Sequence, residues 1–248
     1  MNDKPQVIRD TDDNARRQAR ILLRGARFAA IGVIDPETGF PSVSRVLLGM
    51  DRDGAPVILV SSLSAHTTAL LADPRVSLLT GEPAKGDPLA HPRLTLQCTA
   101  EKVERESEAH ARLRRRFLAR HPKSQLYIDF PDFRFFRLRP ERASLNGGFG
   151  RAYHLSRQDF LIPETDPEVA FDEEAILQEL GGRHPDLAGR LATVFHAAPE
   201  GDWRISAIDS QGIDLVFKDL LIRHEFVTPV TNPQDMLLEL PKSVYAVP

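Results

Sequence analysis

The feature that most constrains this chain is a series of short β-rich runs, joined by turn-type connections, that fills its first 160 residues. FAAIGVI and SRVLLGM are separated by DPETGFP, and SRVLLGM and APVILVS by DRDG, both suited to antiparallel hairpins. VSLLT, RLTLQCTAEKV and FRFFRLR follow, and NGGFGRAYHL leads into a last strand. In RLTLQCTAEKV, Leu94, Leu96, Cys98 and Ala100 share one face, and Thr95, Gln97 and Thr99 the other. Val57 to Val60 is apolar throughout, which predicts a strand covered on both sides. FRFFRLR loses its alternation between Phe135 and Phe136, which predicts a bulge there. Only short helices interrupt the strands. They are expected over Asp12 to Gly25 with Thr11 as N-cap, after Ser64 as N-cap with a stop at Asp73-Pro74, and over Ser107 to Arg120. The class predicted is α+β: a six- to seven-stranded antiparallel barrel, closed or nearly so, with short flanking helices.

At 248 residues the chain predicts two domains, a barrel over 1–160 and a small α+β domain over 161–248. LIPETDPE, with Pro163 and Pro167, reads as the linker. Beyond it come two helices, the strands WRISAID, GIDLVF and IRHEFV, and a closing helix, with Trp203 as core anchor. A net charge of −3 gives no reason to expect nucleic acid or a membrane surface as partner. The single cysteine, Cys98, rules out an internal disulfide framework and a cysteine-rich zinc site. No apolar leader and no ~20-residue apolar stretch is seen, so the cytoplasm is the expected location.

Chemistry concentrates in VILVSSLSAHTTALL, where a strand ending in Ser61 and Ser62 runs into a helix opening on Ala65, His66 and Thr67. Unpaired N–H groups at a helix start, with hydroxyls and an imidazole beside them, make a phosphate cradle. The alternative is an ordinary N-cap at Ser64 and a solvated His66. Arg45 lies mid-strand on the face of Val43 and Leu47, so its guanidinium requires an anionic partner or a route to water. A carboxylate would serve, but a phosphate held between Arg45 and the 61–67 turn would satisfy both features. Arg112, Arg114, Arg115 and Arg116 read as a solvated helix face, and Phe130, Phe133, Phe135 and Phe136 as barrel and interface core.

SVSRVLL, VSSLSAHT, ADPRVSLL, DPLAHPRLTLQ, ARHP, DFRFFRL and NGGFGRAY resemble, in order and spacing, the flavin-binding split barrels of the pyridoxamine-phosphate-oxidase superfamily. Within it they look most like the HugZ-type haem-utilisation branch, over about residues 15 to 160. The resemblance implies a homodimer with FMN in a groove at the subunit interface. Carried onto this sequence, it implies flavin and phosphate contacts from Arg45, Val46, Ser61, Ser62, His66 and Thr67, and a ring or ribityl contact from Gln97. Gly148 and Phe149, within Asn146 to Gly150, would approach the site closely, as a backbone without Cβ can.

The sequence departs from the pattern at Gly49 and Met50, where the oxidases place a lysine, and at Ala69, where the branch has asparagine. In the small domain only His184 survives of a His-rich stretch, and Gly181-Gly182 weaken that helix by ~1 kcal/mol each. The chain ends KSVYAVP, without the terminal histidine that ligates iron in some haem-degrading members. His184, His196 and His224 are then the haem-ligand candidates. Three readings follow: an FMN-binding oxidoreductase-like protein acting on haem or another planar substrate, a HugZ-type haem-binding or haem-degrading protein with flavin optional, and a non-catalytic binding or regulatory module. FMN and haem are the cofactors implied.

Overall fold

The computed structural model describes residues 8–148, 151–162, 172–227 and 229–230. It divides into two compact units, Met1–Leu161 and Ile162–Pro248. Most of LIPETDPE, the expected closing helix and the KSVYAVP end lie outside the described residues.

In the first unit β1 (Ile8–Arg9) precedes α1 (Asp13–Gly25), followed by β2 (Phe28–Ile34), β3 (Pro41–Met50), β4 (Pro56–Ser61) and α2 (Ala65–Ala72). Then come β5 (Arg75–Thr80), β6 (Arg93–Lys102), α3 (Glu108–Arg120), β7 (Phe133–Asn146) and β8 (Ala152–Ser156). The sheet runs β1-β8-β7-β4-β3-β2-β5-β6, and β7 pairs again with β6, which closes a six-stranded antiparallel barrel. β7 closes it by its length. Its first residues pair with β4 and its last with β8, while β6 lies along its other edge. Asp12, rather than Thr11, caps α1, its carboxylate accepting from Ala15 N–H.

Alternation fills the lumen. Ile31, Leu48, Ile58, Leu78, Leu96 and Leu138 each have no exposed surface and belong to one core. β4 is buried on both faces, as its sequence predicts: Ile58 and Val60 face the lumen, and Val57 and Leu59 pack with Leu113 and Phe117 of α3. The same two-sided cover explains Phe135 and Phe136, one facing α3 and the other the lumen, with no break in pairing. The bulge lies instead at Glu141, the residue skipped where Gln97 pairs with Arg142 and Cys98 with Pro140. A proline cannot donate to a ladder, so a bulge is where β7 can hold one.

Two arginines read as a solvated face instead fasten α3. Arg112 pairs with Asp51 at 3.0 Å, and the buried Arg116 donates to the Met50 carbonyl at 2.9 Å. Burial pushes the pKa of Asp51 up, but Arg112 and Arg137 outweigh it and hold the carboxyl below its usual range. No helix among the described residues is long and apolar enough to cross a membrane.

The second unit packs α4 (Glu173–Arg183) and α5 (Leu187–His196) on an antiparallel sheet of order β11-β10-β9, with β9 Arg204–Asp209, β10 Gly212–Phe217 and β11 Leu220–Glu225. α4 continues through Gly181 and Gly182. Trp203 is buried in this core, its indole N–H donating to the Pro199 carbonyl at 2.9 Å.

Candidate functional site

The strand–turn–helix at β4 and α2 is built from its own hydroxyls. Ser61 Oγ donates to Asp132 at 2.6 Å, and Thr67 Oγ1, fully buried, donates to the Ser61 carbonyl at 2.7 Å. Ser62 N–H donates to the Asp132 carbonyl at 2.7 Å, and Ser64 caps α2 without a side-chain bond. His66 Nδ1 lies 3.1 Å from Ser44 Oγ, and burial lowers its pKa. Of the hydroxyls expected to cradle a phosphate, those of Ser61 and Thr67 are therefore engaged within the chain, beside the carboxylate of Asp132.

Arg45 does not join them. Ser44 faces His66, Val46 points into the barrel core, and by alternation Arg45 projects from the opposite side of β3. There its guanidinium lies over the Phe28 ring, 4.7 Å from the centroid. Within one chain, Arg45 and the 61–67 turn stand on opposite faces of the strand.

The strand register shows what Arg45 does share a face with. Arg45 pairs with Ala30, Ala30 with Leu79, Leu79 with Thr95, Thr95 with Ser144, and Ser144 with His154. Paired residues point to the same side, so this row crosses the outside of the barrel from β3 to β8. The next row runs Val43, Gly32, Ser77, Gln97, Arg142. At strand spacing, Arg45 is about 14 Å from Thr95 along the sheet.

At the β6–β8 end the two rows enclose a cavity of about 370 Å³, lined by Thr95, Gln97, Arg142, Ser144 and His154 among others. Arg142 Nε donates to the Gln97 side-chain oxygen, which fixes both groups beside the Glu141 bulge. The cavity therefore holds a guanidinium, an imidazole, an amide and two hydroxyls. Of these the sequence singled out Gln97 alone. Arg142 and His154 carry no local motif and become neighbours only through the β6–β7–β8 register.

Gly148 has φ +81°, and a Cβ there would stand 2.3 Å from the Ala90 carbonyl oxygen. Its close approach is thus to the β5–β6 loop of its own chain. Phe149 lies outside the described residues. Gly148→Ala combines a disfavoured φ with a backbone clash and is expected to destabilise the barrel by at least ~2 kcal/mol, measured as a lowered urea midpoint. A midpoint shift below about 0.5 kcal/mol would show that the turn relaxes freely. His184 belongs to the second unit, where it caps the C-terminus of α4, its backbone N–H donating to the Leu180 carbonyl at 2.8 Å.

The sequence pattern of the family described as CREG, beta-barrel matches residues 10–161. The chain belongs to that CREG beta-barrel family. This CREG-family chain is similar to the chloroplastic heme oxygenase HOZ of Arabidopsis thaliana, with 34% identity over 203 residues, 80% of this chain and 61% of that protein. It thus spans under two thirds of that relative's length. It is 32% identical to heme oxygenase HutZ of Vibrio cholerae over 130 residues, 50% of this chain and 71% of that one. Among solved structures, Atu2129 of Agrobacterium tumefaciens, of unknown function, matches with a TM-score of 0.77 at 32% identity, covering 94% of both chains. The split-barrel resemblance read from the motifs is borne out.

Proposed function

We propose that this chain binds haem against the outward face of β6, β7 and β8 and takes part in its oxidative breakdown. The observation that carries the reading is the Arg142–Gln97 pair opening, with His154, into one cavity. Its volume falls within the roughly 300–1,000 Å³ of small-molecule sites. The donor set fits the group. A guanidinium holds a propionate through paired charge-assisted bonds, and an imidazole is an ordinary iron ligand. Bound haem would supply the iron at which oxygen is activated. Arg142, oriented by Gln97, would position a carboxylate, and Thr95 and Ser144 would offer hydroxyls to the polar edge. Two relatives named as heme oxygenases support the choice of ligand.

Val43 is 71% exposed and Leu79 44% exposed on this outward face, which we propose a second copy of the chain covers. FMN is the second reading. It is favoured by the presence of Arg45 and Gln97, both assigned flavin contacts by resemblance, on that one face.

Haemin titration followed by the Soret band tests the first reading. Arg142→Ala is expected to weaken haem by ~1.5–3 kcal/mol, roughly tenfold to 150-fold. Unchanged affinity in Arg142→Ala refutes the assignment. FMN titration of Arg45→Ala separates the second reading, since loss of a phosphate contact is worth ~1–3 kcal/mol there. Light scattering on the same preparation should give a dimer, and a monomer would remove the proposed cover.

A further inference from the structure

The second unit carries a pair of histidines on elements distant in sequence. His196 is the last residue of α5, and His224 lies on β11, the edge strand of the sheet. His196 Nε2 and His224 Nδ1 are 3.1 Å apart, with the rings nearly perpendicular and their centroids 5.3 Å apart. Phe195 packs its ring edge-on to His224 at 5.2 Å, and Phe226 stands on the strand side at 6.4 Å, so the imidazole is walled by aromatic rings. His196 is exposed and His224 half-buried, which leaves one side of the pair open to water.

We propose that His196 and His224 form a chelating site for a borderline divalent cation of the zinc, nickel or copper type. Nitrogen ligands about 2.0–2.1 Å from a tetrahedral ion are roughly 3.3 Å apart, close to the separation found here. Imidazole nitrogen is a preferred donor for these metals. The site also lies at the negative end of the α5 dipole, which favours a cation over the last turn. Ala197, in the left-handed conformation at φ 49°, ends the helix there and directs the chain away. For both nitrogens to ligate, the N–H of whichever ring donates the present hydrogen bond moves to that ring's other nitrogen. The ion then replaces the hydrogen bond, and no proton leaves a neutral pair. Among the described residues no group of three or more His, Cys, Asp or Glu that could hold a metal ion is found, so the site proposed is a two-imidazole chelate. An occupied site would tie α5 to the sheet edge.

The test is isothermal titration of the full chain with Zn²⁺, comparing it with His196→Ala and His224→Gln. Each variant is expected to lose at least about tenfold in affinity. Electron paramagnetic resonance with one equivalent of Cu²⁺ should show two coordinating nitrogens in the native chain and one in either variant. Variants that bind Zn²⁺ as the native chain does, or a copper spectrum they leave unaltered, overturn the site. Should His224→Gln fail to fold, His196→Ala decides alone, because its side chain is exposed. His154→Ala, in the barrel, should leave this titration as it was, and a loss there equal to that of His196→Ala would also refute the pair.

Discussion

Arg223→Ala is expected to cost the second unit roughly 3–5 kcal/mol, because it removes the guanidinium that three buried carboxylates share. The side chain of Arg223 has no exposed surface. It holds Asp209 bidentately, with both contacts at 2.8 Å, and reaches Asp214 at 3.1 Å and Glu225 at 2.8 Å. These acids are at most 6% exposed, so removing the cation leaves them both desolvated and mutually repelling. Trp203 is the single tryptophan of the chain and lies in this unit's core, so its fluorescence reports the second unit's unfolding. The fluorescence midpoint in urea should fall steeply in Arg223→Ala, and part of the loss should return in acid as the carboxylates protonate. A shift below about 1 kcal/mol would mean that the acids' other interactions hold them without the guanidinium, and the account of this core would be wrong.

The barrel, by contrast, should have an acid-sensitive joint at His121. The ring is 5% exposed, sits 4.8 Å from Phe117, and donates from Nε2 to the Leu48 carbonyl at 2.9 Å. Burial first, and then the Arg120 guanidinium, pull its pKa down to about 4, against the smaller upward pull of the Leu48 bond. An unfolded histidine titrates near about 6.5. The unfolded chain therefore binds this proton more readily than the folded one, and stability from the neutral ring is complete above that value. It is lost as the pH falls from about 6.5 toward 4, and at 1.36 kcal/mol per unit the total is about 3 kcal/mol. Urea midpoints by circular dichroism at pH 7.5 and 4.5 should diverge more for the native chain than for His121→Gln, which has no ring to protonate. Equal pH dependence in the two would remove His121 from the acid response.

Local sequence carried the periodic parts of the fold. The apolar run of β4 and the alternation that sends Gln97 outward and Cys98 inward both follow from side-chain period alone. Burial also pushes the Cys98 thiol up to about 12, as its inward position requires. Period fails where two environments meet. The doublet Phe135-Phe136 mimicked a bulge because β7 is covered on both sides at that point, while the real bulge at Glu141 was marked only by Pro140. Long-range pairing was invisible for the same reason. Arg112 finds its carboxylate at Asp51, and nothing near either residue announces the other. The outward cavity was legible at Gln97 and nowhere else, because Arg142 and His154 meet it through register across three strands. Arg45 was legible as an arginine on an apolar strand, but the side of β3 occupied by His66 was not, and that detail separates it from the α2 turn.

A filled lumen has a consequence for how such a protein changes over generations. In the proposed reading recognition lies on the barrel's exterior at β6–β8, where Ser144 and His154 are exposed rather than packed into the core. Substituting Thr95, Ser144 or His154 would retune the proposed site while every inward neighbour keeps its volume and rotamer. Selectivity and thermal robustness are thereby inherited as separable traits. A lineage on this scaffold could change what the proposed site takes without first passing through a damaged core.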